Sequence, residues 1–217
     1  MGISKLKNLA TDIVERRRAS YLAKKRRRNR NHAPTIIANN CVGGVMYHDL
    51  GLRFTSPTIN LFFPKSADFF AFVDDIEYFV SQTPTQVYEE GKKYPIGEFS
   101  KDGRTIRVDF MHYKTFDEAV SKWQERGKRI DYDNIFVVVE YPEELRETDE
   151  AYKNFKNVKY KNKRMITNPV GFTNSEIVKS DLYDDKFFWG KILRYKSKFS
   201  QKRYLDDFDY VSFLNGD

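Results

Sequence analysis

Residues 134–141 read NIFVVVEY. Five apolar residues stand unbroken between Asn134 and Glu140, three of them Val. A half-wet strand alternates apolar with polar, whereas a continuous run marks a strand covered on both faces. The flanks carry a different period. Upstream, TFDEAVSKWQERGKRI (115–130) is helical, with Thr115 as N-cap and Glu118 three residues on, a capping-box pattern. Downstream, EELRETDEAYKNFK (143–156) is also helical, and KRMITN (163–168) reads as another strand.

The same alternation extends toward the N-terminus. TIIANN (35–40) reads as a short buried strand, and VMYHDLG (45–51) as a short helix stopped by Gly51. TINLFF (58–63) is a strand candidate between Pro57 and Pro64. SADFFAFVDDIEYFVSQ (66–82) is a helix with Ser66 as N-cap and a broad stripe of Phe69, Phe70, Val73, Ile76, Tyr78 and Phe79. TQVYEE (85–90) and PIGEFS (95–100) are short strands. Lys101-Asp102-Gly103-Arg104 signals a hairpin into TIRVDFMHY (105–113), which alternates. RYLDDFDYVSFLNG (203–216) reads as a helix ended by Asn215-Gly216. The fold expected is α/β: a layered α/β/α sandwich with a mostly parallel sheet, an antiparallel hairpin portion and a preceding basic helix.

Charge divides the chain in two. The whole sequence of 217 residues carries +7. Residues 1–32 hold four Lys and seven Arg against Asp12 and Glu15, a local +9, which leaves −2 for the rest. This predicts a basic arm over 1–33 and a nearly neutral α/β domain over 34–217, and it disfavours a domain-wide nucleic-acid surface. In the arm, Ile3, Leu6, Leu9, Ile13 and Leu22 recur at roughly helical spacing among the basic residues. That pattern suits a basic amphipathic helix on an anionic membrane, nonspecific nucleic-acid contact, or a solvated helix packing a few leucines on the domain. A single aromatic, Tyr21, stands among the basic residues and makes no stacking platform for successive bases, so no specific nucleic-acid partner is expected.

A single Cys excludes a disulfide framework and a Cys-based zinc cluster, and fits a reduced cytoplasmic setting. No apolar run approaches the ~20 residues of a membrane helix, and no signal-peptide h-region opens the chain. The three His are scattered without H-x-x-x-H spacing, so neither a metal nor a cofactor is expected. Localisation at the inner face of the membrane is expected only through the arm.

In an open α/β sheet, ligands bind beyond the carboxyl ends of the strands. The first strand ends at Asn39-Asn40-Cys41, followed by Gly43-Gly44 and a helix. Helix-start amides stabilise a thiolate or a developing oxyanion. Cys41 is thus a candidate nucleophile, with His112 as its base and Asp131, Asp133 or Asn134 as an orienting third group. The competing reading of Cys41 is a small buried hydrophobe. Asn39, Asn40, Gly43, Gly44, Tyr47, Asn60 and Tyr113 complete the expected substrate-binding set. His112 joins this rim only if its strand runs parallel to the others.

The strings TIIANNCVGGVMYHDLGLRFTSPTINLFF, KYPIGEF and HYKTFDEAVSKWQERGKRIDYDNIFVVV carry a resemblance. They are similar to a bacterial domain family of unknown function associated with exopolysaccharide and capsular polysaccharide biosynthesis. The matching positions include Asn39, Asn40, Cys41, Gly43, Gly44, Tyr47, Leu50, Gly51, Leu52, Ser56 and Pro57. They continue with Tyr94 to Gly97, His112, Tyr113, Lys122, Trp123, Arg126 and Arg129. Val42 stands where many relatives carry Trp. The shorter string from Cys41 through GLRF to Ser56-Pro57 resembles papain-like cysteine peptidase and acyltransferase families. The resemblance implies work in polysaccharide assembly beside glycosyltransferases, and together with the Cys41 corner it leads to the expectation of a transferase moving an acyl-type group to a lipid-linked or nucleotide-linked sugar. Its alternatives are a glycosyltransferase-like or sugar-phosphate enzyme without a Cys nucleophile, and a non-catalytic subunit of the assembly machinery.

Overall fold

A computed structural model describes residues 2–180, 182–183 and 188–217, with the backbone alone over 2–10. The apolar run becomes the longest strand, β5 (Ile135–Leu145), in the middle of a four-stranded parallel sheet. Its neighbours are β1 (Thr35–Ala38) and β6 (Asn162–Pro169), and β7 (Ile177–Lys179) closes the order β1-β5-β6-β7. Register runs from Thr35 opposite Ile135 to Ala38 opposite Val138. The pairing of β5 with β6 shifts between Glu140 and Glu144.

The sheet separates two cores because alternate residues of each strand face opposite ways. Ile37, Val137, Val139 and Met165 join one core with α3 (Ser66–Asp74), α4 (Ile76–Ser81), α5 (Phe116–Gly127) and α6 (Glu150–Asn157). Ile36, Ala38, Phe136, Val138 and Ile166 join the other with α2 (Val42–Leu50) and α7 (Tyr210–Asn215). This is the expected layered α/β arrangement. An antiparallel sheet of β2 (Thr85–Val87), β3 (Ile96–Lys101) and β4 (Arg104–Asp109) packs into the first core. Trp123 of α5 joins them, with ring centroids 4.9 Å from Phe99 and 5.5 Å from Phe72.

Several elements differ from their sequence readings, each for a local reason. The 66–82 helix breaks at Asp75, whose φ of −141° leaves the helix while its carboxylate accepts from Tyr78 N–H to start α4. TINLFF forms no ladder: Asn60 adopts φ 64°, and only Phe62 pairs, with both N–H···O bonds to Asp109 at 2.8 Å. β4 stops at Asp109, so Met111 to Tyr113 form a turn rather than a strand end. Residues 143–145 extend β5, and the following helix starts only at Glu150. The C-terminal helix divides into a 3-10 turn (Tyr204–Asp207) and α7, restarted by Asp209 accepting from Ser212 N–H. In α5, Thr115 caps Glu118 N–H as expected, but Glu118 reaches back to Lys114 N–H.

The basic arm forms α1 (Gly2–Arg28). The side chains of Ile3, Leu6 and Leu9 lie outside the described residues. From Val14 on, the helix is docked on the domain, mostly by polar contacts. Lys25 is buried in an ion pair with Asp206 and lies 3.8 Å from the Tyr210 ring centroid. Arg26 donates to Asp49 O, Arg28 pairs with Asp209 at 2.7 Å, and Arg18 donates to Ser200 O. Among the described residues, no helix is long and apolar enough to cross a membrane.

Candidate functional site

β1 ends where hydrogen bonding passes from backbone to side chain. Asn39 Nδ2 donates to Glu140 O and Asn39 Oδ1 accepts from Glu140 N–H, both at 2.9 Å. These two bonds continue the β1–β5 ladder one step beyond Ala38, so Asn39 is a structural clamp. Asn40 turns the chain into α2. Its Oδ1 accepts from Val42 N–H at 2.9 Å, and its Nδ2 donates to the Glu140 carboxylate. Cys41 follows in helical geometry (φ −67°, ψ −4°), with its carbonyl accepting from Val45 N–H.

The loop between α2 and α3 joins the two sheets. Phe63 N–H donates to Asn39 O at 2.9 Å, while Phe62 pairs with Asp109. Asn60 O accepts from His112 N–H at 3.3 Å. Tyr113 OH donates to Ile59 O at 2.8 Å and accepts from Arg126 Nη1 at 2.6 Å. His112 therefore reaches the β1 rim although β4 belongs to a separate antiparallel sheet.

The result is a cavity of about 280 Å³. Asn40, Cys41, His112 and Glu140 supply its polar groups, and Leu61, Phe62, Met111, Trp189 and Leu193 its apolar wall. Phe62 and Trp189 meet edge to face, centroids 4.8 Å apart, and Trp189 keeps half of its surface exposed. Larger clefts of about 400 and 500 Å³ lie elsewhere, one beside Lys92, Lys93 and Lys114, the other beside Val80 and Tyr132. Neither holds a nucleophilic thiol or a His. Among the described residues, no three His, Cys, Asp or Glu side chains gather to hold a metal ion.

Electrostatics in the small cavity run against a preformed thiolate. Burial, then the nearby Glu140 carboxylate, push the Cys41 thiol up to about 11. The expected depression by helix amides does not prevail in this arrangement. Glu140 itself is pushed up to about 7 by burial, an effect that the hydrogen bonds from Asn40 and Tyr183 only partly offset. Tyr183 OH lies 3.2 Å from Glu140 Oε1. A carboxyl poised near neutrality is suited to proton transfer, and it shares this cavity with the exposed His112.

Other expected site residues take structural positions. Tyr47 is fully buried at the opposite end of β1. Its OH accepts from Ile36 N–H, donates to Pro34 O, and lies 2.8 Å from Thr55 Oγ1. Gly43 permits close packing of α2 on β1, since a Cβ there would lie 3.1 Å from Ala38 Cβ. Gly44 stands beside Ile59 and Asn60 with more room. No acceptor among the described residues meets the Gly43 and Gly44 N–H groups. Tyr113 shapes the loop rather than lining the cavity.

Asp131 and Asp133 do not join the site. They precede β5, where Asp131 N–H donates to Thr35 Oγ1 at the start of β1. Five residues from Ile135 to Glu140 span roughly 17 Å of strand, so these carboxylates sit at the wrong end of the sheet to orient His112. Asn134 lies there too, bonded to Asn31. Glu140 and Trp189 are the residues that sequence reasoning missed. Glu140 did carry a signal, as the acid that ends an otherwise apolar buried strand.

Residues 13–215 match the family described as a domain of unknown function (DUF1919), and the chain belongs to that family. It is 32% identical over 187 residues to an uncharacterized protein of Haemophilus influenzae, a match covering 85% of each chain.

Proposed function

We propose that this member of the family is a transferase of surface-polysaccharide assembly that moves an acyl-type group to a sugar hydroxyl, with Cys41 carrying the group. The observation behind this reading is the convergence of Cys41, His112 and Glu140 on one cavity beside the Phe62–Trp189 aromatic wall. An exposed indole offers a flat apolar face to the C–H side of a sugar ring, and Asn40 and Glu140 offer hydrogen bonds to hydroxyls. The similarity to polysaccharide-biosynthesis and papain-like families points the same way.

Because the resting thiol is protonated, the nucleophile is made during the reaction. The Cys41 proton passes to His112, directly or through one water, as sulfur attacks the donor carbonyl carbon. The negative charge on the carbonyl oxygen is stabilised by the N-terminal end of α2, at which Cys41 stands. The bond to the leaving group then breaks, and the leaving group takes the proton from His112. A thioester remains on Cys41. The sugar hydroxyl next gives its proton to His112 and attacks the thioester carbonyl. Sulfur departs and recovers the proton as a thiol.

Intact-mass measurement tests the covalent step. Incubation with an acyl thioester should add one acyl group to the native protein and none to Cys41→Ser, with slower labelling in His112→Ala. A second reading is favoured by the high Cys41 pKa and the near-neutral Glu140. In that reading Glu140 takes the proton of the sugar hydroxyl directly, and Cys41 only packs. Sugar modification that survives Cys41→Ala and is lost in Glu140→Gln would select it over the thioester route.

A further inference from the structure

Docking of α1 sorts its charges onto two faces. Toward the domain, Arg18, Lys25 and Arg28 are engaged with Ser200 O, Asp206 and Asp209. At 100° per residue, Ile13, Arg16, Arg17, Ser20, Lys24 and Arg27 fall within about 100° of arc on the other side. All six are exposed, and Ile13 keeps 47% of its surface in solvent. Arg16, Arg17, Lys24 and Arg27 have no acidic partner among the described residues, and Asp12 and Glu15 lie off this arc.

A second element stands beside this helix. Arg18 binds the carbonyls of Lys198 and Ser200 at 3.2 and 3.1 Å and stacks 3.5 Å from the Tyr195 ring centroid. Those contacts fix the 196–202 loop against α1. They hold that loop on the domain-facing side of α1 and leave the outward arc uncovered. Water offers nothing to the exposed Ile13, whereas a lipid interface accepts an apolar side chain next to cations.

We infer that the outward arc of α1 forms a docking face for an anionic phospholipid bilayer. The four outward cations span twelve residues, roughly 17 Å of straight helix. A flat negative surface meets all of them at once. The exposed arc carries no aromatic base-stacking platform for a nucleic-acid strand. This inference is independent of the chemistry proposed for Cys41.

Vesicle sedimentation of the full chain tests it. At about 0.15 M salt the protein should bind phosphatidylcholine vesicles containing about 30% phosphatidylglycerol, and not phosphatidylcholine alone. Each removed cation should weaken binding by about fivefold, and R16S/R17S/K24S/R27S by 100-fold or more. Ile13→Ser should weaken it severalfold with net charge unchanged. These side chains are exposed, so circular dichroism should show an unchanged fold in each variant. Equal binding of both vesicle types, undiminished binding by the quadruple variant, or capture by duplex DNA without capture by anionic vesicles would overturn the inference.

Discussion

The Glu140 carboxylate and the Cys41 thiol face one cavity, and the charge on the first raises the pKa of the second. Two groups that resist ionising together titrate in sequence, Glu140 first at about 7 and Cys41 at about 11. Replacing Glu140 with Gln removes the like charge and leaves burial in place. The Cys41 pKa should therefore fall but stay above that of an ordinary thiol. The pH dependence of iodoacetamide alkylation measures this. The rate at pH 9 should rise about threefold to tenfold in Glu140→Gln.

Stability should follow the same carboxyl. Its folded pKa is raised above the ordinary 4.5, so between pH 4.5 and 7 the folded state holds more protons than the unfolded state. Stability then falls as pH rises through that window, by up to about 3 kcal/mol. Urea unfolding midpoints from pH 4.5 to 8 should show this decline in the native protein and not in Glu140→Gln. An equal decline in both proteins would contradict the assignment of the slope to Glu140.

The Lys25–Asp206 pair anchors α1, with both side chains almost wholly buried. Burial lowers the Lys25 pKa despite its partner. Removing one charge strands the other, at a cost of about 3–5 kcal/mol. Lys25→Met should destabilise by that amount in urea unfolding, and K25M/D206L should recover most of it. Strict additivity of the two single changes would mean that the ions are not coupled.

The two glycines after Cys41 should behave differently. A methyl at Gly43 meets Ala38 Cβ at 3.1 Å and pushes α2 off β1, whereas at Gly44 its nearest neighbour is 3.6 Å away. Gly43→Ala should lose about 1–2 kcal/mol, and Gly44→Ala should be neutral or gain a few tenths. Thermal unfolding of the two variants side by side reads the difference.

Local pattern carried much of this protein by itself. The unbroken run at 135–139 located the central strand, because burial on both faces leaves no polar positions. Thr115 announced α5 through a hydrogen bond made within one turn, and the Asn-Asn-Cys corner lies at the carboxyl end of β1 as read. Each of these signals needs only near neighbours in sequence.

Tertiary structure decided which distant residues meet at that corner. His112 reaches it through the Phe62–Asp109 bridge and the Asn60 carbonyl, contacts between segments about fifty residues apart. Glu140 and Trp189 enter from β5 and from the C-terminal region, while Asp131 and Asp133 are held at the far end of the same strand. Periodicity reports which face of a strand is buried. It does not report which loops converge beyond its end, because that depends on sheet order and on bridges that lie outside any ladder.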